Sequence, residues 1–301
     1  MAKIRHLLNK VSNTKLTIFI LSLALSITSV ELAWSNPRPQ PRPIKNTPSS
    51  TNQQIKRPPQ RRPTKDTYSQ GAAVRGCGQD GEISLRVLGS RNYFEPIVSP
   101  RPTFAWFIPD SKDSKSIPTK FRIYKQFPKE GWQQLGDDIP LSITQGIMTL
   151  SPFPDKIPKL EVGGKYLFQV VMECDPSSRS ADFTDVAYFE VENIPVSLQK
   201  ALDNVGNNPA KRTAIYAEAG FLQDALSEAL KLTEKSKLGK LGADILKELI
   251  QEEEQPENIE NVLNILVEKE QPENIEKFKS ERRRLIEKRI SDLKQIAVTQ
   301  Q

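Results

Sequence analysis

Histidine is almost missing from this chain. Its 301 residues contain one, His6, which lies ahead of an apolar run near the N-terminus. If that segment is removed on export, the mature chain has no imidazole. This excludes Ser-His-Asp and Cys-His nucleophilic catalysis, His-ligated zinc and imidazole general-base chemistry. Cysteine is nearly as scarce: Cys77 and Cys174 are the only two, and they form no CxxC pair. HExxH, GxSxG and glycine-rich phosphate loops are absent. After residue 30 no second long apolar run occurs, so nothing further reads as membrane-spanning. No cofactor and no metal is implied. Carboxylates are abundant enough that pairs such as Asp137 and Asp138 carry no specific signal for a glycosidase. The loop at 110–113, with Asp110 and Asp113, lacks the dense Asp/Asn/Gly spacing of a calcium site.

The basic charge is unevenly placed. The formal net charge is +6, yet residues 1–35 carry +3, residues 36–75 carry +8 and the remainder carries −5. The presumed folded part is mildly acidic, so the overall balance gives no ground for a nucleic-acid partner. Lys3, Arg5, Lys10 and Lys15 precede an apolar run at 16–30, followed by Ala33 and Ser35 at small-residue positions. This pattern predicts a signal peptide over 1–35 cleaved after Ser35, and hence a periplasmic or extracellular protein; an uncleaved anchor is the alternative. Residues 36–75 are rich in proline and arginine, with almost nothing apolar to bury. They read as a disordered or polyproline-type linker, either a plain spacer or a segment lying on an anionic cell-wall or membrane surface.

Residues 76–194 show short alternating runs separated by turns. Ile83, Leu85 and Val87 alternate; Phe104, Trp106 and Ile108 share one face; residues 120–125 alternate again. Trp132 with Leu135, and residues 141–150, are weaker candidates. The most legible stretch is 160–174. It opens on Gly163 and Gly164 and then alternates Tyr166, Phe168, Val170, Met172 and Cys174. Residues 187–192 close the domain. This pattern predicts a mainly β domain followed by α structure: an antiparallel β-sandwich and then a helical C-terminal region.

The runs PTFAWFIP at 102–109 and LEVGGKYLFQV at 160–170 resemble fibronectin type III and other Ig-like domains. The resemblance implies that Trp106 anchors the core and that Tyr166 is a corner residue whose hydroxyl bonds back to nearby backbone; Phe168, on the buried face of the alternating run, joins them in the core. Together with YAEAGFLQDAL at 216–226, these runs also resemble the cyanobacterial family catalogued as domain of unknown function 928, over roughly 76–232. That family is linked to export and to no assigned activity, so the resemblance implies no catalytic residues. Locally, Phe221, Leu222 and Gln223 replace a more aromatic version of the motif.

In an oxidising compartment the two cysteines favour a Cys77–Cys174 disulfide, worth about 4–5 kcal/mol less any strain on the chain-entropy model. Two unrelated thiols are the alternative. Beyond Pro195, residues 195–235 read as a helical hairpin packed on or next to the sandwich, with a faint likeness to half of a tetratricopeptide repeat. Residues 236–301 read as a helical tail. In it EEEQPENIE at 252–260 recurs as EKEQPENIE at 268–276, a period of 16. Helices are expected over 238–250, 257–267 and 273–298, the last with Phe278, Leu285, Ile286, Ile290, Leu293 and Ile296 on one stripe. Arg282, Arg283 and Arg284 read as a solvated face.

Two functions follow as expectations. The first is a non-catalytic binding or assembly module of the cell envelope that engages an unknown envelope protein through the helical tail. The alternative is a cell-wall or carbohydrate-binding, or carbohydrate-active, protein, motivated by the basic linker and aromatics such as Trp132.

Overall fold

The computed structural model describes residues 84–109, 117–151, 153–174, 182–267 and 275–301. They fall within one compact unit spanning Lys56–Gln301. The expected signal, linker and Cys77, and the loop at 110–113, lie outside the described residues.

Among the described residues the strands are β1 (Arg86–Val87), β2 (Glu95–Ile97), β3 (Phe104–Ile108), β4 (Thr119–Phe127), β5 (Gly131–Gln134), β6 (Ile139–Leu141), β7 (Gly146–Leu150), β8 (Lys165–Met172) and β9 (Phe183–Val191). One sheet runs β1-β3-β7; the other runs β2-β9-β8-β4-β5, with β6 also pairing β4. The pairings are antiparallel except at β2, whose Glu95, Pro96 and Ile97 lie parallel to Phe189, Glu190 and Val191. The sheets are antiparallel as expected, with this one parallel exception. β2 is a short edge strand paired far along the chain, so no hairpin imposes an antiparallel sense, and an edge tolerates the missing N–H of Pro96.

The inner faces of the two sheets share a core. Phe104 and Trp106 of β3 meet Phe121, Phe168 and Phe189, with ring centroids of Phe104 and Phe168 4.5 Å apart. The other face of β3, Ala105 and Phe107, packs with Leu88 and Ile147 against the helices. β3 is therefore buried on both sides, as its unbroken Phe-Ala-Trp-Phe-Ile sequence requires.

The corner before β8 is set by two glycines with different roles. Gly163 has φ +76°, a conformation that costs other residues free energy. Gly164 lies under the Tyr166 ring, where a Cβ would come within 2.5 Å of the hydroxyl oxygen. The freed hydroxyl accepts the Glu161 N–H at 2.8 Å. Trp106, Tyr166 and Phe168 are each 1 % exposed.

The helices are α1 (Val196–Val205), α2 (Pro209–Glu218), α3 (Leu222–Leu230), α4 (Gly239–Glu253), α5 (Pro256–Val267) and α6 (Ile275–Thr299). The Asn208 side chain caps α2 by accepting the Lys211 N–H, with Pro209 at the first helical position. α2 ends in a Schellman turn: Phe221 N–H bonds to the Tyr216 carbonyl and Gly220 N–H to that of Ala217, with Gly220 at φ +84°. This tight turn folds α3 back along α2. α5 starts at the proline of the first repeat copy, with Glu257 in its first turn; most of the second copy lies outside the described residues.

α6 is not a free tail. Ile286, Ile290, Leu293, Ile296 and Ala297 are buried in the core shared with α3, α4 and the three-stranded sheet. Most of the apolar stripe expected on this helix is therefore used inside the chain. Beside it runs a sealed ionic network. Asp185 of β9 accepts Arg289 Nη1 at 2.6 Å, Arg91 Nη1 at 3.0 Å and the Val87 N–H at 2.8 Å. Arg86 reaches Asp292 of α6 at 2.5 Å. Glu253, near the end of α4, accepts the Arg91 N–H and lies 3.5 Å from Arg289 Nε. Arg289 Nη2 also donates to the Gly89 carbonyl at 2.7 Å. Burial alone would push the Asp185 carboxyl up, but Arg289, Arg91 and Arg86 outweigh it and hold it below its ordinary value. Three arginines and three carboxylates thus join β1, β9, α4 and α6.

Candidate functional site

A polar cleft of about 400 Å³ opens where the β2–β3 and β7–β8 loops meet the α2–α3 hairpin. The Schellman turn brings Arg212 and Tyr216 of α2 opposite Asp224, Ser227 and Glu228 of α3. Each pair Arg212/Tyr216 and Asp224/Glu228 is four residues apart and so shares a helix face. Arg212 donates from Nε to Glu228 at 3.0 Å and from Nη2 to the Tyr216 hydroxyl at 3.1 Å. The second oxygen of Glu228 receives Lys231 Nζ at 2.9 Å. These charges hold one another in place.

The loop side is looser. Arg101 pairs with Asp155 at 3.0 Å, with side chains 45 % and 96 % exposed, and its guanidinium lies 6.0 Å from the Phe153 ring centre. The Thr103 hydroxyl donates to that of Ser151 at 3.3 Å.

The floor is different again. Asp224 is 6 % exposed and accepts the Val98 N–H at 2.8 Å. Burial pushes its carboxyl up to about 7; the Val98 and Ser99 amides oppose the shift and Glu228 adds to it. Next to it Glu95 of β2 accepts the Leu222 N–H at 3.2 Å. It thereby caps α3, whose own N-cap residue, Phe221, offers no side-chain acceptor. Burial pushes Glu95 up to about 8, against the pull of the Tyr93 hydroxyl and, less, of the Leu222 amide.

None of the site and core residues expected from the sequence, Cys77, Cys174, Trp106, Tyr166 and Phe168, is described as lining this cleft. Trp106, Tyr166 and Phe168 sit in the inter-sheet core. Cys174 follows β8, half-buried, and no free thiol occurs among the described residues; Cys77 is outside them. Trp132 stacks with Phe94 at 6.4 Å on the other face of the larger sheet. Asp138 is paired with Arg122 at 2.8 Å. Among the described residues no group of three or more metal-ligating side chains is placed to hold an ion, and no helix is long and apolar enough to cross a membrane. The cleft residues left a faint signal in the sequence, since Tyr216 and Asp224 both lie in the 216–226 stretch. Their convergence with Arg101 is a property of the fold.

The family described as Domain of Unknown Function (DUF928) matches residues 70–262. No curated protein matches the sequence. Among solved structures, a lytic polysaccharide monooxygenase important for efficient utilization of chitin in Cellvibrio japonicus is 14 % identical, over 44 % of this chain and 72 % of that one, with a TM-score of 0.23. A likeness of that size carries no argument about fold or activity.

Proposed function

The chain belongs to the DUF928 family through residues 70–262, and we propose that it acts as an exported, non-catalytic binding module of the cell envelope. On this reading a fibronectin type III-like sandwich and the α2–α3 hairpin together hold the ligand in the cleft between them. The observation that carries the proposal is the preset charge of the cleft. Arg212, Glu228 and Lys231 are fixed by one another, which lowers the ordering cost of binding. The only serine on the helical wall, Ser227, has no histidine to activate it, since the chain's one histidine is His6.

Export is supported by the basic, apolar and small-residue order of the first 35 residues. The same setting favours a Cys77–Cys174 bridge, tying the start of the domain to the end of β8. The basic linker suits an anionic cell-wall or membrane surface. The alternative, a cell-wall or carbohydrate-binding protein, draws support from the hydroxyls of Thr103, Ser151 and Ser227 in the same cleft.

One experiment tests the proposal. The full chain is expressed in a bacterium with an intact export pathway, fractionated, mapped by non-reducing peptide analysis, and incubated with envelope extract. The expected result is a processed, bridged, extracytoplasmic protein that retains an envelope component. Cytoplasmic protein with two reduced thiols, or no retention above background, contradicts it.

A further inference from the structure

We propose that the cleft takes an acidic saccharide, with Arg101 receiving a carboxylate of the ligand. This rests on the reading of the cleft as a binding site and adds the ligand's chemical class. Three cations line the cleft, and they are not equivalent. Arg212 and Lys231 are both committed to Glu228. Arg101 is held by Asp155 through an ion pair open to water on both sides, with the Phe153 ring beside its guanidinium. Exposed pairs of this kind contribute little, so a ligand carboxylate can replace Asp155 at small cost. It gains in return the planar fork of a guanidinium, which matches a carboxylate in two parallel hydrogen bonds.

The rest of the lining suits a hydroxylated body. Ser99, Thr103, Ser151 and Ser227 present hydroxyls that both donate and accept. Glu228 and the edge of Asp224 supply acceptors for ligand hydroxyls at the floor. Glu228 weighs against a phosphate, whose second negative charge would lie beside it. A neutral sugar would use the hydroxyls and leave Arg101 with no better partner than Asp155. A singly charged carboxylate on a hydroxylated ring uses both sets of groups. The cleft volume is also in the range of small-ligand sites.

Calorimetry on the exported full chain tests this with three probes: trigalacturonate, the neutral sugar maltotriose, and sodium acetate. Trigalacturonate is expected to bind at least about tenfold more tightly than maltotriose, and acetate weakest of all. Arg101→Ala is expected to weaken trigalacturonate at least about tenfold, as the loss of a charge-assisted hydrogen-bonded pair implies. Ser227→Ala is expected to weaken it by a smaller factor. Both side chains are at least partly exposed, and unchanged melting of the ligand-free variants shows that they fold. Equal affinity for the two sugars overturns the acidic-ligand inference, while a shared loss with Arg101→Ala keeps the cleft as the binding site. Trigalacturonate affinity that ignores Arg101→Ala places the site elsewhere and overturns the inference. If no probe binds while envelope extract still retains the protein, the saccharide inference fails and the binding-module proposal stands.

Discussion

Sheet and helices meet at two charged junctions, and the two handle buried charge in opposite ways. Where β1 and β9 meet α4 and α6, Arg86, Arg91 and Arg289 are matched by Asp185, Glu253 and Asp292. Where β2 meets α3, Glu95 and Asp224 are buried with the Tyr93 hydroxyl and backbone amides as their partners, and the nearby Arg212 is engaged by Glu228. The first junction keeps the central carboxylate of Asp185 ionised; the second raises both of its carboxyls. Burial alone does not decide the state of an acid. Asp185, with a guanidinium on each oxygen, is held low, whereas Glu253, 3.5 Å from Arg289 Nε, is still raised by burial, as are Glu95 and Asp224 with no guanidinium on them.

The largest expected effect is at the matched junction. Asp185→Ala leaves two arginines without their shared partner in a sealed site, and should cost about 3–5 kcal/mol in urea unfolding. A loss below about 1 kcal/mol, the range of surface pairs, would equate the network with those pairs.

The unmatched junction is distinguished by its pH dependence. Glu95 rises from an ordinary 4.5 to about 8 and Asp224 from 3.8 to about 7, so between these limits the folded chain binds more protons than the unfolded one. Stability from this junction is fully present below the ordinary carboxyl values and is lost as pH rises through about 7 and 8. Asp185, held low, acts the other way: its contribution is lost as pH falls below the ordinary carboxylate range. Stability should therefore peak in mildly acidic solution. Glu95→Gln keeps the acceptor for the Leu222 N–H and removes the charge. It should flatten the alkaline fall and be more stable than the parent above pH 8, by on the order of 3 kcal/mol. Parallel profiles for the two proteins from pH 5 to 9 would remove Glu95 from the account.

The β8 corner provides a smaller test away from both junctions. Gly164→Ala must displace the Tyr166 ring and should cost about 1–3 kcal/mol. Tyr166→Phe loses the bond to Glu161 and should cost about 1 kcal/mol. If Gly164→Ala proves the milder of the two, ring placement is not what the glycine serves.

What the sequence made legible follows from how local each feature is. The period-two run through Tyr166, Phe168, Val170 and Met172, the Gly163-Gly164 corner and the α6 stripe are written in neighbouring residues, and strand, corner and helix lie there. The unbroken run at β3 also held a readable signal for burial on two faces, with Ala105 and Phe107 turned to the helices. β2 left almost none, being three residues with a proline, stabilised by a partner strand some ninety positions away. β9 begins at Phe183, earlier than the expected 187, because a buried Asp185 interrupts the apolar pattern. Its partners Arg91 and Arg289 are 94 and 104 residues away. The cleft is hidden for the same reason. Two helix faces were visible as four-residue spacings, but nothing local places Arg101 against them.

The central claim is that the matched network makes sheets and helices one cooperative body. Its most direct test is urea unfolding of the full chain followed at once by tryptophan fluorescence, to which Trp106 in the inter-sheet core and Trp132 on the other face of the larger sheet both contribute, and by far-ultraviolet circular dichroism, dominated by the helices. The account predicts superimposable transitions with a single midpoint. A helical signal that melts at lower urea, with the fluorescence transition left intact, would contradict it.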